Sequence, residues 1–327
     1  MHILITGAAG MIGRKLIEQL IVDRALNEQP IEKLTLMDIV APTRPAGFSD
    51  HVKVRTGDLA DPAIAMKAVS ERPDVIIHLA GVVSGEAELN LEKGYHVNLD
   101  GTRSLLEAIR KTGDGYKPRV IFTSSIAVFG APFPHTIPDE FHLTPLTSYG
   151  AQKVMCEQML ADYTRKGILE GVGIRLPSIV VRPGKPNKAA SGFFSGIIRE
   201  PLNGEEAQLP VADTVMHTHA SPRSAVGFLI HAAGLAREKI EPRINLTMPG
   251  VCCTVAEQIE ALRRVAGDKV AARIRREPDE LIVRIVAGWP HRFEAKRSTE
   301  LGFVAESSFD EIIRVHIEED RGGSFVK

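Results

Sequence analysis

The segment Thr6–Gly13, with the sequence Thr-Gly-Ala-Ala-Gly-Met-Ile-Gly, most constrains how this chain can fold. It follows an apolar run, Ile3–Ile5, and leads into a stretch with helical apolar periodicity, Arg14–Leu20. An apolar run, a glycine-rich turn and an amphipathic stretch in this order predict a strand, a tight turn and a helix. The chain therefore begins as an α/β unit.

The three glycines of this turn have separate predicted roles. Gly7 permits the tight turn, Gly10 lets the backbone approach a pyrophosphate, and Gly13 lets the helix pack closely against the strand. The first helical turn, which includes Met11 and Ile12, offers unpaired N–H groups and a partial positive charge to phosphates. The turn predicts a dinucleotide-binding site.

Further apolar runs alternate with helix-like stretches over the first half of the chain. Strands are predicted at 34–38, 52–56, 75–79, 119–124 and 172–176, and helices at 62–71, 95–110 and 149–166. Continuous apolar strands that alternate with helices predict a Rossmann-type, doubly wound parallel sheet. We assign residues 1–177 to an NAD-binding domain that also carries the catalytic residues.

Residues 178–327 show a looser pattern and are predicted to form a smaller α+β substrate-binding lobe, with some segments returning to the sheet. Helices are expected at 221–236, 254–265 and 308–319. Short strands are expected at Arg243–Thr247 and Glu280–Val286, and the last residues, 320–327, are expected to be frayed.

Composition limits the possible partners. The 327 residues carry a net charge of −1 and are 44% hydrophobic, which is unfavourable for nucleic acid or an anionic membrane as main partner. No apolar run reaches transmembrane length, and no basic segment precedes the first apolar residues, so we expect no signal peptide. Three cysteines without metal-type spacing indicate a reducing, cytoplasmic setting and no metal site.

Acidic residues follow the second and third predicted strands. The Asp38 carboxylate can accept hydrogen bonds from an adenosine ribose and would repel a 2′-phosphate, so NAD is favoured over NADP. Arg44 lies beyond Pro42 and is less suited to a phosphate clamp. Asp58, followed by Leu59, is predicted to bind adenine, whereas Asp61 before a proline is predicted to cap a helix.

Tyr149 and Lys153 are four residues apart and share one face of a predicted helix. A phenol is a poor base at neutral pH, but a nearby ammonium and an oxidised nicotinamide favour its phenolate form. The phenolate can remove a hydroxyl proton while hydride leaves the carbon. Ser125 ends a predicted strand at the carboxyl edge of the sheet, where it would hold the same oxygen.

These motifs together resemble the extended short-chain dehydrogenases/reductases, which include nucleotide-sugar epimerases and dehydratases. The matching elements cover nearly the whole chain: Thr6–Gly13, Asp58-Leu59, His78-Leu79-Ala80, Asn98 with Gly101-Thr102, Ser124-Ser125 with Val128-Phe129-Gly130, Tyr149 with Lys153, and Leu301-Gly302-Phe303. The resemblance implies that Ser125, Tyr149 and Lys153 are catalytic, that Ala80 and Ser124 lie at the cofactor, and that Pro177 and Ile179 line the nicotinamide. A buried Asn98 either contacts the cofactor or has a structural role.

Departures from the family pattern bear on the substrate. Ser125-Ile126-Ala127 lacks the acid pair of the dehydratases, Arg182-Pro183-Gly184 stands in place of an aromatic-Gly-Pro element, and Met216–Pro222 replaces an aspartate-bearing segment. The whole chain most resembles the branch that oxidises small sugar acids. The resemblance therefore implies a four-carbon aldonate or a similar small-molecule substrate.

An acid substrate needs hydrogen-bond donors for its carboxylate. The basic candidates are Arg182, Lys185, Arg199 and Arg223, with Arg182 first, although an arginine taken alone is more often a solvated surface residue. Ser84 is a candidate for binding substrate hydroxyls. His217 and His219, without a carboxylate cluster, are expected to be core or pocket residues rather than metal ligands.

Two other functions remain open on the sequence. One is a nucleotide-sugar 4-epimerase that keeps its NAD tightly bound, and the other is a catalytically silent NAD-sensing protein. The family resemblance also implies a homodimer formed through the helices that begin near Tyr95 and Tyr149.

Overall fold

The computed structural model describes residues 1–184 and 190–326, and the chain divides into two compact units. The first unit contains Met1–Val128, Thr147–Arg175 and Val226–Thr247. The second contains Phe129–Leu146, Leu176–Ala225 and Met248–Lys327. The assignment of cofactor binding to residues 1–177 and substrate binding to residues 178–327 stays a prediction about function.

The first unit is built on a seven-stranded parallel sheet. Its strands are His2–Thr6, Lys33–Asp38, Val52–Thr56, Val75–His78, Arg119–Ser125, Glu170–Leu176 and Asn245–Thr247. Numbered along the chain, they lie in the order 3-2-1-4-5-6-7. The strand order reverses between His2–Thr6 and Val75–His78, which is where α/β folds bind nucleotides. The predicted Rossmann-type fold is confirmed.

The central strands of this sheet are apolar because both of its faces are covered. Ile3, Leu4, Ile5, Ile76 and Ile77 are all fully buried. The covering helices are Met11–Asp23, Pro62–Val69, Ser84–Leu89, Leu91–Gly94, Gly101–Thr112, Ser148–Arg165 and Arg237–Ile240, with Pro222–Gly234 shared between the units. Tyr95–Asp100 forms a π-helical turn, and Ala46–His51 and Ile126–Val128 are 3-10 turns. A short hairpin joins Ala25–Leu26 to Gln29–Pro30.

The second unit has two small sheets and its own apolar core. Ser178–Ile179, Met216–Ala220 and Val251–Thr254 form one sheet, and Ala207–Leu209 pairs with Ile274–Arg276 in the other. Its helices are Gly192–Asn203, Val255–Ala266, Asp268–Ala271, Glu280–Ala287, Lys296–Glu300 and Phe309–Arg321. Among residues 1–184 and 190–326, no helix is long and apolar enough to cross a bilayer.

The structure corrects two expectations in the second unit. Glu280–Ala287 is a helix, not a strand, because the Asp279 carboxylate accepts hydrogen bonds from the Leu281 and Ile282 amides and caps its start. The described part of the C-terminal segment is not frayed. The Val326 amide donates to the Leu202 carbonyl over 3.0 Å, and the Arg273 guanidinium donates to the Val326 carbonyl over 2.9 Å.

Candidate active site

The glycine turn lies too close to the neighbouring strand for any side chain at its first position. Gly7 has a φ of +73°, and a Cβ there would lie 2.6 Å from the Ala80 nitrogen. A Cβ at Gly13 would lie 2.5 Å from the Gly7 carbonyl oxygen. Only glycine satisfies both limits. The end of the strand that leads to Ala80 is therefore held directly against the turn.

The helix that follows has an N-terminus suited to an anion. Gly10 precedes Met11–Asp23 and has no side chain that could cap the helix, and no acidic residue lies in the first turn. The amides of Met11, Ile12 and Gly13 have no acceptors within the helix at these positions. Together with the dipole of this helix, they fit a pyrophosphate. The cradle therefore fits a dinucleotide cofactor.

Asp38 is held against the glycine turn. Its carboxylate accepts a hydrogen bond from the Ala9 amide over 2.9 Å and a longer one from the Val40 amide over 3.3 Å. Arg44, the nearby cation, donates to the Val52 carbonyl over 2.7 Å. The Asp38 carboxylate beside the turn can accept hydrogen bonds from the free hydroxyls of a ribose. Because Arg44 donates to the backbone, this region fits such a ribose better than one with a 2′-phosphate.

Replacing Asp38 with alanine should narrow the preference for NAD over NADP. Removing hydrogen bonds to a charged acceptor costs about 1.5–3 kcal/mol, which corresponds to roughly 10- to 100-fold in kcat/KM for NAD. The measurement is the ratio of kcat/KM values for the two cofactors. Asp23→Ala, which removes a carboxylate bonded to Gln19 on the same unit, serves as control. A wild-type preference for NADP would overturn this assignment.

Asp58 lies in a network that the sequence did not reveal. Its carboxylate accepts hydrogen bonds from the Ala60 amide over 2.9 Å and from the His96 Nε2 over 2.8 Å. Burial raises the pKa of Asp58, but the bonds from His96 and Ala60 outweigh it and hold that pKa below its usual value. The ionised group stays available as the predicted adenine acceptor. Leu59 packs into the core, and Asp61 caps the next helix as predicted.

Asn98 holds the loop that follows the fourth strand. Its side-chain oxygen accepts from the Val82 amide over 2.9 Å, and its amide nitrogen donates to Gln152 Oε1 over 2.7 Å. A Cβ at Gly81 would lie 2.9 Å from the Asn98 oxygen and 3.8 Å from Lys153 Nζ. These contacts of Asn98 are the kind expected if the residue has a structural role. A direct contact with the cofactor stays a prediction.

A hydrogen bond at His78 links the fourth strand to the first strand, at the point where the strand order reverses. Thr102 donates its hydroxyl hydrogen to the Asn98 carbonyl, so it accepts from His78 Nε2 over 3.0 Å. Burial, together with the Lys153 charge, lowers the pKa of His78 to about 3. The ring is therefore neutral, and its Nδ1 accepts from the Thr6 hydroxyl over 2.7 Å. This relay fixes the strand ends around the predicted cofactor site.

Tyr149 and Lys153 lie together near the end of the fifth strand. Lys153 is 5% exposed, and its ammonium lies 5.6 Å from the centre of the Tyr149 ring. The same ammonium donates to the Thr123 carbonyl over 2.8 Å, two residues before Ser125. The Ser125 hydroxyl accepts from the Ala127 amide over 3.1 Å. The helix and the strand end thus place a phenol, an ammonium and a hydroxyl in one region of the first unit.

A buried ion pair supports this region, and the sequence reasoning missed it. Glu157 is fully buried and receives two hydrogen bonds from the Arg175 guanidinium, at 2.9 and 2.8 Å. The Ser124 hydroxyl donates to the same carboxylate over 2.6 Å. The pair joins the helix that carries Tyr149 to the fifth and sixth strands. Its sequence signal is the acid that lies four residues after Lys153 on the same helix.

The remaining predicted residues lie at several places. Ser84 begins the helix Ser84–Leu89 in the first unit and is half-buried. Pro177 and Ile179 are buried in the second unit, where Ile179 pairs with Ala220. The roles of these residues at the nicotinamide and the substrate stay predictions.

The basic residues considered for binding the substrate carboxylate have different hydrogen-bond and ion-pair partners. The Arg182 guanidinium donates to the Ile179 carbonyl and to the Ser191 hydroxyl, each over 3.0 Å. Arg199 pairs with Glu200, and Arg223 pairs with Glu318 and Glu319 on the surface. The expectation of a solvated residue is wrong for Arg199, which is 5% exposed because its guanidinium also donates to the Arg182 carbonyl. Lys185 lies outside the described residues.

His217 and His219 are core residues, as expected. They are 3% and 0% exposed, and burial lowers the pKa of both rings, that of His217 to about 4. Within the described part of the chain, no group of three or more His, Cys, Asp or Glu side chains is arranged to hold a metal ion.

Comparison with known proteins identifies relatives over the full length of the chain. D-erythronate dehydrogenase from Cupriavidus necator is 47% identical over 98% of both chains. The enzyme of the same name from Haemophilus influenzae is 40% identical over 98% of this chain and 100% of its own. The crystal structure of the nucleoside-diphosphate-sugar epimerase from Agrobacterium tumefaciens is 64% identical, covers 99% of this chain and 95% of its own, and superposes with a TM-score of 0.97.

The family model for the NAD dependent epimerase/dehydratase family matches residues 3–219, well over half of the chain. This range includes the glycine turn, Asp38, Asp58, and the predicted Ser125, Tyr149 and Lys153. The dinucleotide cradle in the first unit fits the cofactor that the family description names. The chain therefore belongs to the NAD dependent epimerase/dehydratase family of extended short-chain dehydrogenases/reductases, and its cofactor is NAD.

Proposed function

We propose that this protein oxidises a secondary hydroxyl of D-erythronate, or of a similar four-carbon aldonate, to a keto acid with reduction of NAD. The observation that carries the proposal is the placement of Tyr149 and Lys153 beside the strand that ends in Ser125, in the unit that contains the NAD cradle. The two D-erythronate dehydrogenases among its relatives support the choice of substrate.

The proposed catalytic residues have different roles toward the oxygen of the substrate hydroxyl. The Ser125 hydroxyl holds the substrate hydroxyl, and the Tyr149 phenolate removes its proton as the carbonyl forms. The Lys153 ammonium favours the phenolate by its charge and is itself fixed on the Thr123 carbonyl. NAD, held at the glycine turn Thr6–Gly13, would supply the acceptor for the hydride of the substrate carbon. The products are a keto acid, NADH and the proton carried by Tyr149.

The substrate carboxylate is proposed to bind Arg182. A guanidinium can give a carboxylate two parallel hydrogen bonds, and it keeps its charge at all working pH values. Arg182 lies three residues after Ile179, which the family resemblance places at the nicotinamide, and its guanidinium donates to the Ile179 carbonyl. Arg182 is therefore our first choice among the described candidates.

Arg182→Leu should raise the KM for the acid about 10- to 100-fold and leave NAD affinity almost unchanged. The factor corresponds to the roughly 1.5–3 kcal/mol of a hydrogen bond to a charged group. The corresponding neutral polyol should be a poor substrate for the wild type and lose little more in the variant. Arg223→Leu, which removes a surface ion pair, is the matched control. Equal losses for acid and polyol would make Arg182 structural, and a wild-type preference for the polyol would refute carboxylate recognition.

A nucleotide-sugar 4-epimerase with tightly bound NAD is the second candidate. The observation in its favour is the 64% identity to the nucleoside-diphosphate-sugar epimerase structure. Incubation with NAD and a panel of four- to six-carbon sugar acids separates the two functions, because a dehydrogenase accumulates free NADH. An epimerase returns the hydride and gives no net absorbance change with nucleotide sugars. A third possibility, an NAD sensor without catalysis, predicts no turnover of either class.

We also infer a homodimer located in the cytoplasm. Tyr95 and Leu91, near the start of one helix of the family's dimerisation pair, are 37% and 57% exposed, which supports an apolar contact there. The cysteines are free thiols, as a reducing compartment requires. Light scattering on the purified protein measures the mass, and a monomer would overturn the first inference.

A further inference from the structure

Gln152 lies on the helix that carries the predicted catalytic residues, yet its side chain is fully buried. It belongs to Ser148–Arg165, three residues after Tyr149 and directly before Lys153, and is 0% exposed. The Asn98 side-chain nitrogen donates a hydrogen bond to Gln152 Oε1 over 2.7 Å. Buried polar side chains need partners inside the protein, and Asn98 is the partner of Gln152.

A backbone amide fixes the direction of this hydrogen bond. The Val82 N–H donates to the Asn98 side-chain oxygen over 2.9 Å, and a backbone N–H can only donate. The other end of the Asn98 amide is therefore its NH2 group, which donates to Gln152. Gln152 must present its oxygen to Asn98, so this position of the helix requires a hydrogen-bond acceptor.

The nitrogen of the Gln152 amide is in a different situation. Gln152 Nε2 is buried and has no hydrogen-bond partner within residues 1–184 and 190–326. A Cβ at Gly94 would lie 2.6 Å from this nitrogen, so the glycine leaves room for the amide. An unpaired buried N–H destabilises the folded state. A methionine of similar length would avoid this cost, so packing and stability alone do not favour glutamine here.

The same helix also holds the backbone of Asn98. The Cys156 thiol donates to the Asn98 carbonyl over 3.3 Å, and Cys156 lies one turn beyond Gln152 on the helix Ser148–Arg165. Asn98 belongs to the π-helical turn Tyr95–Asp100, and π-helical turns are frequent at functional sites. The helix therefore fixes Asn98 at two points, one on its side chain and one on its backbone.

Asn98 in turn holds the chain segment Leu79–Val82, which follows the fourth strand. At one end of the segment, the Val82 amide donates to the Asn98 side-chain oxygen. On the other side, a Cβ at Gly7 would lie 2.6 Å from the Ala80 nitrogen, so the segment packs directly against the glycine turn. The segment thus lies between Asn98 and the NAD cradle, at the point where the strand order reverses.

We propose that Gln152 is a positioning residue for NAD binding, because through Asn98 it holds the segment Leu79–Val82 against the glycine turn. The oxygen of Gln152, and not the size of its side chain, is what this role requires. All of the residues involved belong to the first unit, so the role depends neither on the proposed substrate nor on the second unit.

Variants at this position separate the oxygen from the shape of the side chain. Gln152→Met keeps the length and removes the acceptor, and Gln152→Ala replaces it in the comparison if the methionine variant does not fold. Gln152→Glu keeps an acceptor oxygen for Asn98 in either protonation state. Gln258→Met is the matched control, because Gln258 is also fully buried on a helix and bonds His219 in the second unit. Thermal unfolding curves show whether each variant is folded.

Titration calorimetry with NAD measures the effect without any substrate. Gln152→Met should raise the Kd of NAD about 3- to 10-fold, the usual size of one hydrogen bond, and Gln152→Glu should recover most of the binding. The melting temperature of Gln152→Met should fall no more than that of Gln258→Met. A Kd equal to that of the control variant, or a loss of stability without a loss of NAD affinity, overturns the proposal.

A double variant and a pH profile separate positioning from other roles. Asn98→Ala with Gln152→Met should bind NAD no more weakly than Asn98→Ala alone, because Gln152 acts through Asn98. The pH dependence of kcat should stay that of the wild type, because Lys153 keeps its hydrogen bond to the Thr123 carbonyl. Additive losses, or a shifted pH profile at an unchanged Kd, overturn the proposal. If sugar acids give no NADH, the proposed function fails, but the NAD titration still decides the role of Gln152.

Discussion

Replacing Tyr149 with phenylalanine is expected to lower kcat by about two to four orders of magnitude, the usual contribution of a general base. The substitution removes only the phenolic oxygen. The ring stays in contact with the Lys153 ammonium, which remains anchored on the Thr123 carbonyl. NAD binding and the melting temperature should therefore stay close to wild-type values while turnover is lost. Steady-state NADH formation together with NAD titration measures both.

Tyr163 offers a matched control on the same helix. Its hydroxyl donates to the Glu107 carboxylate, which belongs to none of the predicted site residues. Tyr163→Phe should leave turnover near normal, although it removes the same atom from the same element. If Tyr149→Phe retains near-normal turnover, Tyr149 is not the base. If both variants lose activity equally, the loss comes from a disturbance of the helix and not from removal of the Tyr149 hydroxyl.

The sequence predicts the first unit well because its rules are local. The central strands contain continuous apolar runs such as Ile3–Ile5, and the predicted range 52–56 matches the edge strand Val52–Thr56. Gly7 and Gly13 reveal a close approach because no other residue fits at 2.5–2.6 Å from the backbone. These features depend on neighbours in sequence or on the absence of a side chain, and both can be read from the chain alone.

The errors concern features that depend on distant partners. The β-branched residues of Glu280–Ala287 favour a strand by local propensity, yet the cap at Asp279 and packing of Val286 select a helix. The sequence alone suggests that Arg199 is a solvated surface residue. In the folded second unit, its guanidinium donates to the Arg182 carbonyl and pairs with Glu200, and the sequence does not show that these acceptors are nearby. The hydrogen bond between the Ser178 hydroxyl and His217 Nε2 was not predicted at all, because its members are 39 residues apart in the sequence.

Replacing Glu157 with alanine should lower the free energy of unfolding by about 3–5 kcal/mol, the usual effect of removing one partner from a buried ion pair. The variant would leave the buried Arg175 charge without this carboxylate and would also remove the acceptor of the Ser124 hydroxyl. Because Glu157 lies one turn after Lys153, we also expect kcat to fall. Urea titration followed by far-UV circular dichroism measures the stability.

Two controls show whether the loss of stability in Glu157→Ala comes from the buried charge of Arg175 or from the other contacts of Glu157. Glu206→Ala removes an ion pair with Arg275 in which both side chains are more than half exposed, and should change stability little, because solvent screens such pairs. Replacing both Glu157 and Arg175 with leucine removes the charge along with its partner, and should recover much of the stability lost in Glu157→Ala. A double variant as unstable as the single one would show that the contacts of Glu157 with Ser124 and the helix, rather than the stranded guanidinium, account for the loss. A single variant as stable as wild type would show that the sheet holds the Tyr149 helix without this ion pair.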